Sequence, residues 1–238
     1  MSIWSSIGSA ISAVGSAISS SISSLCSGIG GALFSGTGGV ATIAKAFIAP
    51  VIGLGLPEIL LAVQAVGAII SVVAEILGLK KEEESPEELG MKAEQADKKP
   101  EDFESTQAYI EYLRKEVQVD KDKLENLTDA EKIGYGAVGS ALYAKGIEEK
   151  YGMQMSGDFW TTVSQMKMSG QEVKTYIDNF KMHDITDMKD MTDYIKGVPL
   201  ADGKDRGNIS SAMIESLREI NPGMSDEILE EKLLDMGV

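Results

Sequence analysis

The sequence predicts an all-α protein, and three observations support this fold class. Large apolar residues in the first third recur at steps of three and four, which places them on one face of a helix. Two capping boxes occur in the second half, at Thr128 with Glu131 and at Ser169 with Glu172, where side chains satisfy the free amides of a helix start. The second half also lacks the apolar–polar alternation that is typical of strands.

Charge divides the 238-residue chain, which has a net charge of −15, into two compositions. Residues 1–79 contain only Lys45, Glu58 and Glu75 as charged residues, whereas 80–238 contain 21 basic and 35 acidic residues, a net of −14. A stretch rich in charge and poor in apolar residues is typical of a solvated linker. We therefore predict three regions, which are an apolar helical region over 1–79, a charged linker over 80–102 and an acidic multi-helix domain over 103–238.

The opening residues predict a helix with one apolar face. Its large apolar residues follow steps of 4, 4 and 3 that repeat every eleven residues. We call them the isoleucine stripe: Ile3, Ile7, Ile11, Val14, Ile18, Ile22, Leu25, Ile29 and Leu33. Beside it runs a ladder of small residues at steps of four: Gly8, Ser12, Ser16, Ser20, Ser24, Gly28, Ala32 and Gly36. Because small side chains let helices approach closely in lipid, we expect the stripe and the ladder to contact a membrane or other copies of the chain.

A second apolar segment, over 59–79, predicts a membrane-spanning helix. It has 21 residues, and only Gln64, Ser71 and Glu75 interrupt it as clearly polar residues. A helix of this length spans the roughly 30 Å hydrocarbon layer of a bilayer. The residues expected on the spanning helix are Ile59, Leu60, Val63, Val66, Gly67, Ile70, Val73 and Leu77. Two alternatives stay open: 40–56 and 59–79 form a buried apolar hairpin in a soluble bundle, or the stripe packs in an oligomer or virion.

Helical periodicity, caps and terminators place the remaining helices in order along the acidic half. The first covers 104–117, and the second starts at the Thr128 capping box. Its glycines, Gly134, Gly136 and Gly139, predict close packing by another helix. The later helices are predicted from Ser156, from Ser169, around Ile185 to Ile195 with a stop at Gly197, over 208–220 and over 225–236.

We predict no catalytic residue, no cofactor and no metal ligand, because no set of titratable side chains converges in the sequence. The single histidine, His183, is flanked by Asp184 and Asp187, and we interpret this group as solvated surface. The glycine-rich stretch over 28–39 lacks the GK[ST] ending of a phosphate-binding loop. The single cysteine, Cys26, cannot form an internal disulfide, and we interpret it as a packing residue. Nucleic acid is not expected as a partner, because its backbone is held by clustered basic residues.

In organisation, the apolar Gly/Ser/Ala-rich first third, which lacks the basic start of a signal peptide, resembles small pore-forming effectors that bacteria deliver through type VI secretion. The resemblance implies a membrane-inserting, pore-forming toxin that is not an enzyme. It also implies secretion or injection by a dedicated apparatus without a cleaved signal peptide, and action at a membrane. The expected partners are a lipid membrane, further copies of the chain, and a chaperone, carrier or immunity protein.

Two other functions fit the same pattern. The chain can be a phage or virus structural or ejection protein, whose apolar helices pack in the virion or penetrate the host membrane. It can also be a soluble helical adaptor with a buried apolar hairpin.

Overall fold

The computed structural model describes residues 56–155, 157–201 and 203–236, and within these ranges it confirms the all-α fold class. Ten α-helices form there, and no strand does. The helices are α1 Leu56–Ile76, α2 Pro86–Gln95, α3 Thr106–Glu116, α4 Lys121–Glu125, α5 Asp129–Tyr151, α6 Gly157–Gln165, α7 Gly170–Met182, α8 Lys189–Ile195, α9 Arg206–Ile220 and α10 Asp226–Met236.

Helix α1 belongs to the core of the acidic domain. It packs along α5 and also contacts α6 and α7. Val66, Ile70 and Val73 of α1 are at most 3% exposed and join one continuous hydrophobic core with α5 and α7. The predicted domain boundary after residue 79 is therefore corrected, because the apolar face of α1 is buried by helices that come 50 to 100 residues later.

The predicted charged linker over 80–102 is also corrected, because it contains helix α2. Ser85 caps this helix by accepting a hydrogen bond from the Glu88 amide, and Pro86 occupies its first turn. Leu89 and Met91 are fully buried in the core. The many charges of this stretch are compatible with packing because several of them pair with one another, as Lys92 does with Glu88 at 2.7 Å.

Helices α2 and α5 cross in direct backbone contact, as the glycines of α5 predict. A Cβ atom on Gly139 would lie 1.9 Å from the carbonyl oxygen of Pro86. A Cβ atom on Gly90 would lie 2.1 Å from the carbonyl oxygen of Tyr135. Only glycine at both positions allows the two helices to approach this closely, so the crossing fixes α2 against the core.

Helix α3 packs on α2 and α5, and α7 lies between α1 and α9. Both predicted capping boxes are confirmed, at Thr128 for α5 and at Ser169 for α7. The buried face of α7 consists of Val173, Tyr176, Ile177 and Phe180, which are at most 1% exposed. Helix α8 contacts α6 and α9, and α10 packs on α9.

Candidate functional site

Helix α1 has an inner face that is buried and an outer face that remains exposed. The outer face, as we use the term, consists of five apolar residues of α1: Leu61, Ala65, Ala68, Val72 and Ile76. Leu61 is 67% exposed, Val72 44% and Ile76 40%. These residues are spaced 4, 3, 4 and 4, so they form a stripe along one side of the helix.

The residues predicted for a spanning helix lie mostly on the inner face. Val63, Val66, Gly67, Ile70 and Val73 are buried, and the hydrophobic residues among them belong to the core. Leu60 and Leu77 are half-buried against that core, whereas the side chain of Ile59 lies outside the described residues.

Within the described ranges, no helix meets the length and apolarity required to cross a membrane. Helix α1 ends at Ile76 and its inner face is covered by protein, so most of the residues predicted for a spanning helix over 59–79 lie in the core of the described domain. The isoleucine stripe, Ile3 to Leu33, and the small-residue ladder, Gly8 to Gly36, lie outside the described residues. Their contact with lipid or with other copies stays a prediction.

The sequence itself contains a signal for the outer face. Gln64 and Glu75 are eleven residues apart, so they project from the same side of a helix. Both residues are exposed beside the outer face. Polar residues in this register indicate which side of an apolar helix contacts solvent.

A buried ionic cluster centres on Glu84, which precedes α2. The Glu84 carboxylate accepts hydrogen bonds from Arg114 Nε at 2.7 Å and from the Tyr143 hydroxyl at 2.6 Å. Lys92 Nζ lies 3.8 Å from the same carboxylate, and Arg114 also donates to the Leu79 carbonyl. Burial and the Glu84 carboxylate both raise the pKa of Tyr143. Since the carboxylate is fully engaged by these groups, the cluster acts as a clamp between α2, α3 and α5.

His183 lies at the end of α7 and contacts α9 through both ring nitrogens. Its Nδ1 is 2.9 Å from Asn208 Oδ1, and its Nε2 is 2.9 Å from Glu215 Oε2. The hydrogen bond with Glu215, followed by the one with Asn208, raises the pKa of His183. The sequence-based interpretation of a solvated histidine is therefore refined, because this side chain is only 18% exposed and joins two helices.

An open groove of about 440 Å³ lies between the segment after α6 and helices α7, α9 and α10. Met166, Met168 and Met236 contribute flexible thioether side chains to its lining. Lys232 also lines the groove and donates to Asn221 Oδ1 at 3.0 Å. The sequence analysis missed this groove, although the Met166–Met168 pair indicates an apolar surface at the end of α6.

The described residues contain no group of three or more His, Cys, Asp or Glu side chains placed to hold a metal ion. Comparisons of the chain with protein-family models, curated proteins and solved structures return no match.

Proposed function

We propose that the chain is a membrane-inserting protein whose residues 1–55 enter the bilayer while the described helical domain stays in water beside it. The observation that carries this proposal is the outer face of α1. The domain is acidic and well packed, yet it presents this apolar stripe on the helix that directly follows residues 1–55. Those 55 residues contain only one charge, Lys45.

The free energy gained by burying aliphatic side chains favours the isoleucine stripe as the element that inserts into the bilayer. Burial of each large aliphatic side chain contributes roughly 1.5–3 kcal/mol, and the stripe has nine such residues. Isoleucine and serine are weak helix formers in water, so a helix of this composition depends on an apolar environment for its stability. The ladder of small residues would then let inserted helices associate, which is the basis for proposing a pore. Delivery by a secretion or injection apparatus belongs to the same proposal.

The net charge of the helical domain determines which membrane surfaces favour insertion of residues 1–55. Residues 56–238 contain 21 basic and 37 acidic residues, a net charge of −16. Anionic lipid surfaces repel such a domain within about one Debye length, roughly 10 Å at 0.1 M salt. Insertion is therefore expected to be stronger with zwitterionic vesicles, and the difference should shrink as salt is added.

Dye release from phosphatidylcholine vesicles by the full chain tests the proposal. Two variants introduce the same charge, Ile18→Lys within the stripe and Ser9→Lys on the opposite side of the predicted helix. We expect release by the native chain and by Ser9→Lys, and at least a tenfold loss with Ile18→Lys. Absence of release by the folded native chain, or equal release by both variants, contradicts insertion through the stripe.

The burial of the inner face of α1 favours a second candidate function, a soluble helical adaptor. In that case the apolar segment of 56–76 contributes stability to the domain and never contacts lipid. The same vesicle experiment separates the two functions, because an adaptor would neither bind nor permeabilise vesicles. The virion alternative stays a prediction.

A further inference from the structure

We propose that, in water, the isoleucine stripe of residues 3–33 packs on the outer face of α1 in the same chain. The inference concerns the protein before any membrane contact and goes beyond the membrane-inserting function. It assigns an interaction surface and its occupant. The contact would keep two apolar surfaces out of water until another surface competes for the stripe.

The outer face has the properties of a helix-packing surface. Eight large hydrophobic side chains of the described residues are exposed, and three of them, Leu61, Val72 and Ile76, lie on this one side of α1. Ala65 and Ala68 between them are small enough to admit a neighbouring helix closely. A contiguous apolar stripe of this kind on a soluble protein marks a site of association.

The neighbourhood of Val72 extends this surface. A Cβ atom on Gly170 would lie 2.4 Å from Val72 Cγ1, so the first turn of α7 lies directly against the outer face. Met168, two residues earlier, lines the groove described above. The apolar surface of α1 is therefore bordered by a second apolar surface across the start of α7.

The isoleucine stripe matches the outer face in period. Both series advance by three and four residues, so both form a nearly straight line along a helix. The ladder of glycine, serine and alanine beside the stripe allows a short distance between helix axes.

The net charges favour the N-terminal segment, rather than a second copy of the domain, as the partner that covers the outer face of α1. Residues 1–55 have a net charge of +1, whereas residues 56–238 have a net charge of −16. Glu75 lies beside the outer face with a 46% exposed side chain. Two copies that met through this face would bring two strongly acidic domains together, whereas the N-terminal segment adds no negative charge.

The chain is also long enough to make the contact. Residues 34–55 connect the stripe to α1, and 22 residues reach up to about 70 Å when extended. Helix α1 has 21 residues and is about 30 Å long. The stripe can therefore fold back along the whole outer face.

The single native cysteine, Cys26, lies next to Leu25 of the stripe and provides the test. Leu61, Val72 and Ile76 are replaced by cysteine one at a time in the full chain, and each variant is oxidised at low concentration. The control is Val198→Cys, because Val198 is the same residue type and is 42% exposed, close to the 44% of Val72.

We expect an intramolecular disulfide between Cys26 and at least one of the three introduced cysteines, formed at least ten times faster than with the control. It is identified as a monomer on a non-reducing gel and by the mass of the linked peptides. Disulfide-linked dimers through the introduced cysteines would overturn the proposal in favour of a second copy. Reaction no faster than the control at all three positions would overturn it as well.

Hydrogen exchange of the native chain and of Val72→Asp provides a second measurement that needs no cross-link. We expect amides in residues 3–33 to exchange at least tenfold faster in Val72→Asp, while α5 keeps its protection. Unchanged exchange over 3–33 would overturn the proposal. Neither measurement involves lipid, so a chain that releases no dye can still support this contact, and the reverse holds too.

Discussion

At the scale of single residues, the interior of the domain contains polar groups without partners. Ser71 of α1 and Ser140 of α5 are buried, and within the described ranges neither hydroxyl makes a hydrogen bond. Ser140 is only 6% exposed. A buried hydroxyl that loses its hydrogen bonds to water on folding reduces the stability of the folded state.

Replacement of Ser140 by alanine is therefore expected to raise the free energy of unfolding by about 1 kcal/mol. Part of any gain comes from the higher helix propensity of alanine, so Ser211→Ala is the matched control. Ser211 is exposed on α9 and donates to the Gly207 carbonyl. Urea unfolding of the full chain measures both changes, and a gain no larger than that of the control contradicts the argument.

His183 makes the free energy of unfolding depend on pH. Its pKa in the folded chain is raised above 6.5 by Glu215 and Asn208, so folding favours the protonated ring. The protonated ring contributes its full stabilisation below about 6.5, the pKa of His183 in the unfolded chain. The stabilisation is lost as the pH rises through the pKa of His183 in the folded chain. The chain has one histidine, so changes in this range report mainly on this side chain.

We expect the free energy of unfolding to fall by up to about 1 kcal/mol between pH 6 and pH 8.5. Glu215→Gln should remove most of this slope, because the neutral amide no longer favours the imidazolium. The control is Glu230→Gln, an exposed acidic residue on α10. A slope that persists in Glu215→Gln would assign the pH dependence to another group.

At the scale of elements, the backbones of α2 and α5 are in direct contact where the two helices cross. Gly139→Ala would place a methyl group 1.9 Å from the Pro86 carbonyl oxygen, which forces the backbones apart. We expect a loss of about 3 kcal/mol in the free energy of unfolding.

Gly146→Ala on the same helix is the matched control, since its new methyl group would meet side-chain carbons and no backbone atom, Leu79 Cδ1 at 3.4 Å and Ile110 Cδ1 at 3.7 Å. The flexible end of a leucine can move, and alanine is the better helix former by roughly 1 kcal/mol. The control should therefore unfold at the same or a higher urea concentration. Equal effects of the two substitutions would show that the crossing tolerates a side chain.

The clamp around Glu84 joins three helices through one carboxylate. Glu84→Gln leaves the Arg114 guanidinium buried without its counter-charge, at an expected loss of about 3–5 kcal/mol. Glu111→Gln is the control, because Glu111 and Lys115 form an exposed pair 3.1 Å apart. Thermal unfolding followed by circular dichroism should show a large decrease in Tm for the first variant only. A small decrease for Glu84→Gln would mean that water replaces the lost charge.

The helices that the sequence predicts best are those marked by local signals, such as capping residues. The starts of α5 and α7 follow from capping boxes, and the predicted helix over 208–220 differs from α9 by two residues at its start. Helix α2 has a local start signal in Ser85 and Pro86, but its burial could not be predicted this way, because it depends on distant residues. Glu84, just before its start, pairs with Arg114 of α3, and glycine is needed at position 90 because the Tyr135 carbonyl oxygen of α5 lies only 2.1 Å from where a Cβ atom would be.

At the scale of the whole molecule, helix α1 of the apolar segment is part of the core of the acidic domain. Composition suggested a division after residue 79, since the charge changes abruptly there. Packing contradicts that division, because the inner face of α1 supplies Val63, Val66, Ile70 and Val73 to the core. Composition reports which residues avoid water, but it does not identify the helices that cover them.

Two truncations test this unity. A chain that starts at Lys80 loses four buried valine and isoleucine side chains, each contributing roughly 1.5–3 kcal/mol, against a typical total stability of about 5–15 kcal/mol. We expect it to lose cooperative thermal unfolding, whereas a chain that starts at Leu56 should retain it. Thermal unfolding of each truncated chain is followed by circular dichroism and by the binding of a dye to exposed apolar surface. A cooperative transition in the shorter chain would restore the boundary after residue 79.

The position of α1 at the beginning of the described chain also sets a delay during synthesis. Its inner face is covered by α5, α6 and α7, and the last of these ends at Met182, 106 residues after α1 ends at Ile76. At roughly 5–20 residues per second, a ribosome needs about 5–20 s to make that stretch. Throughout this interval the growing chain exposes the most apolar of the described helices without the partners that will bury it.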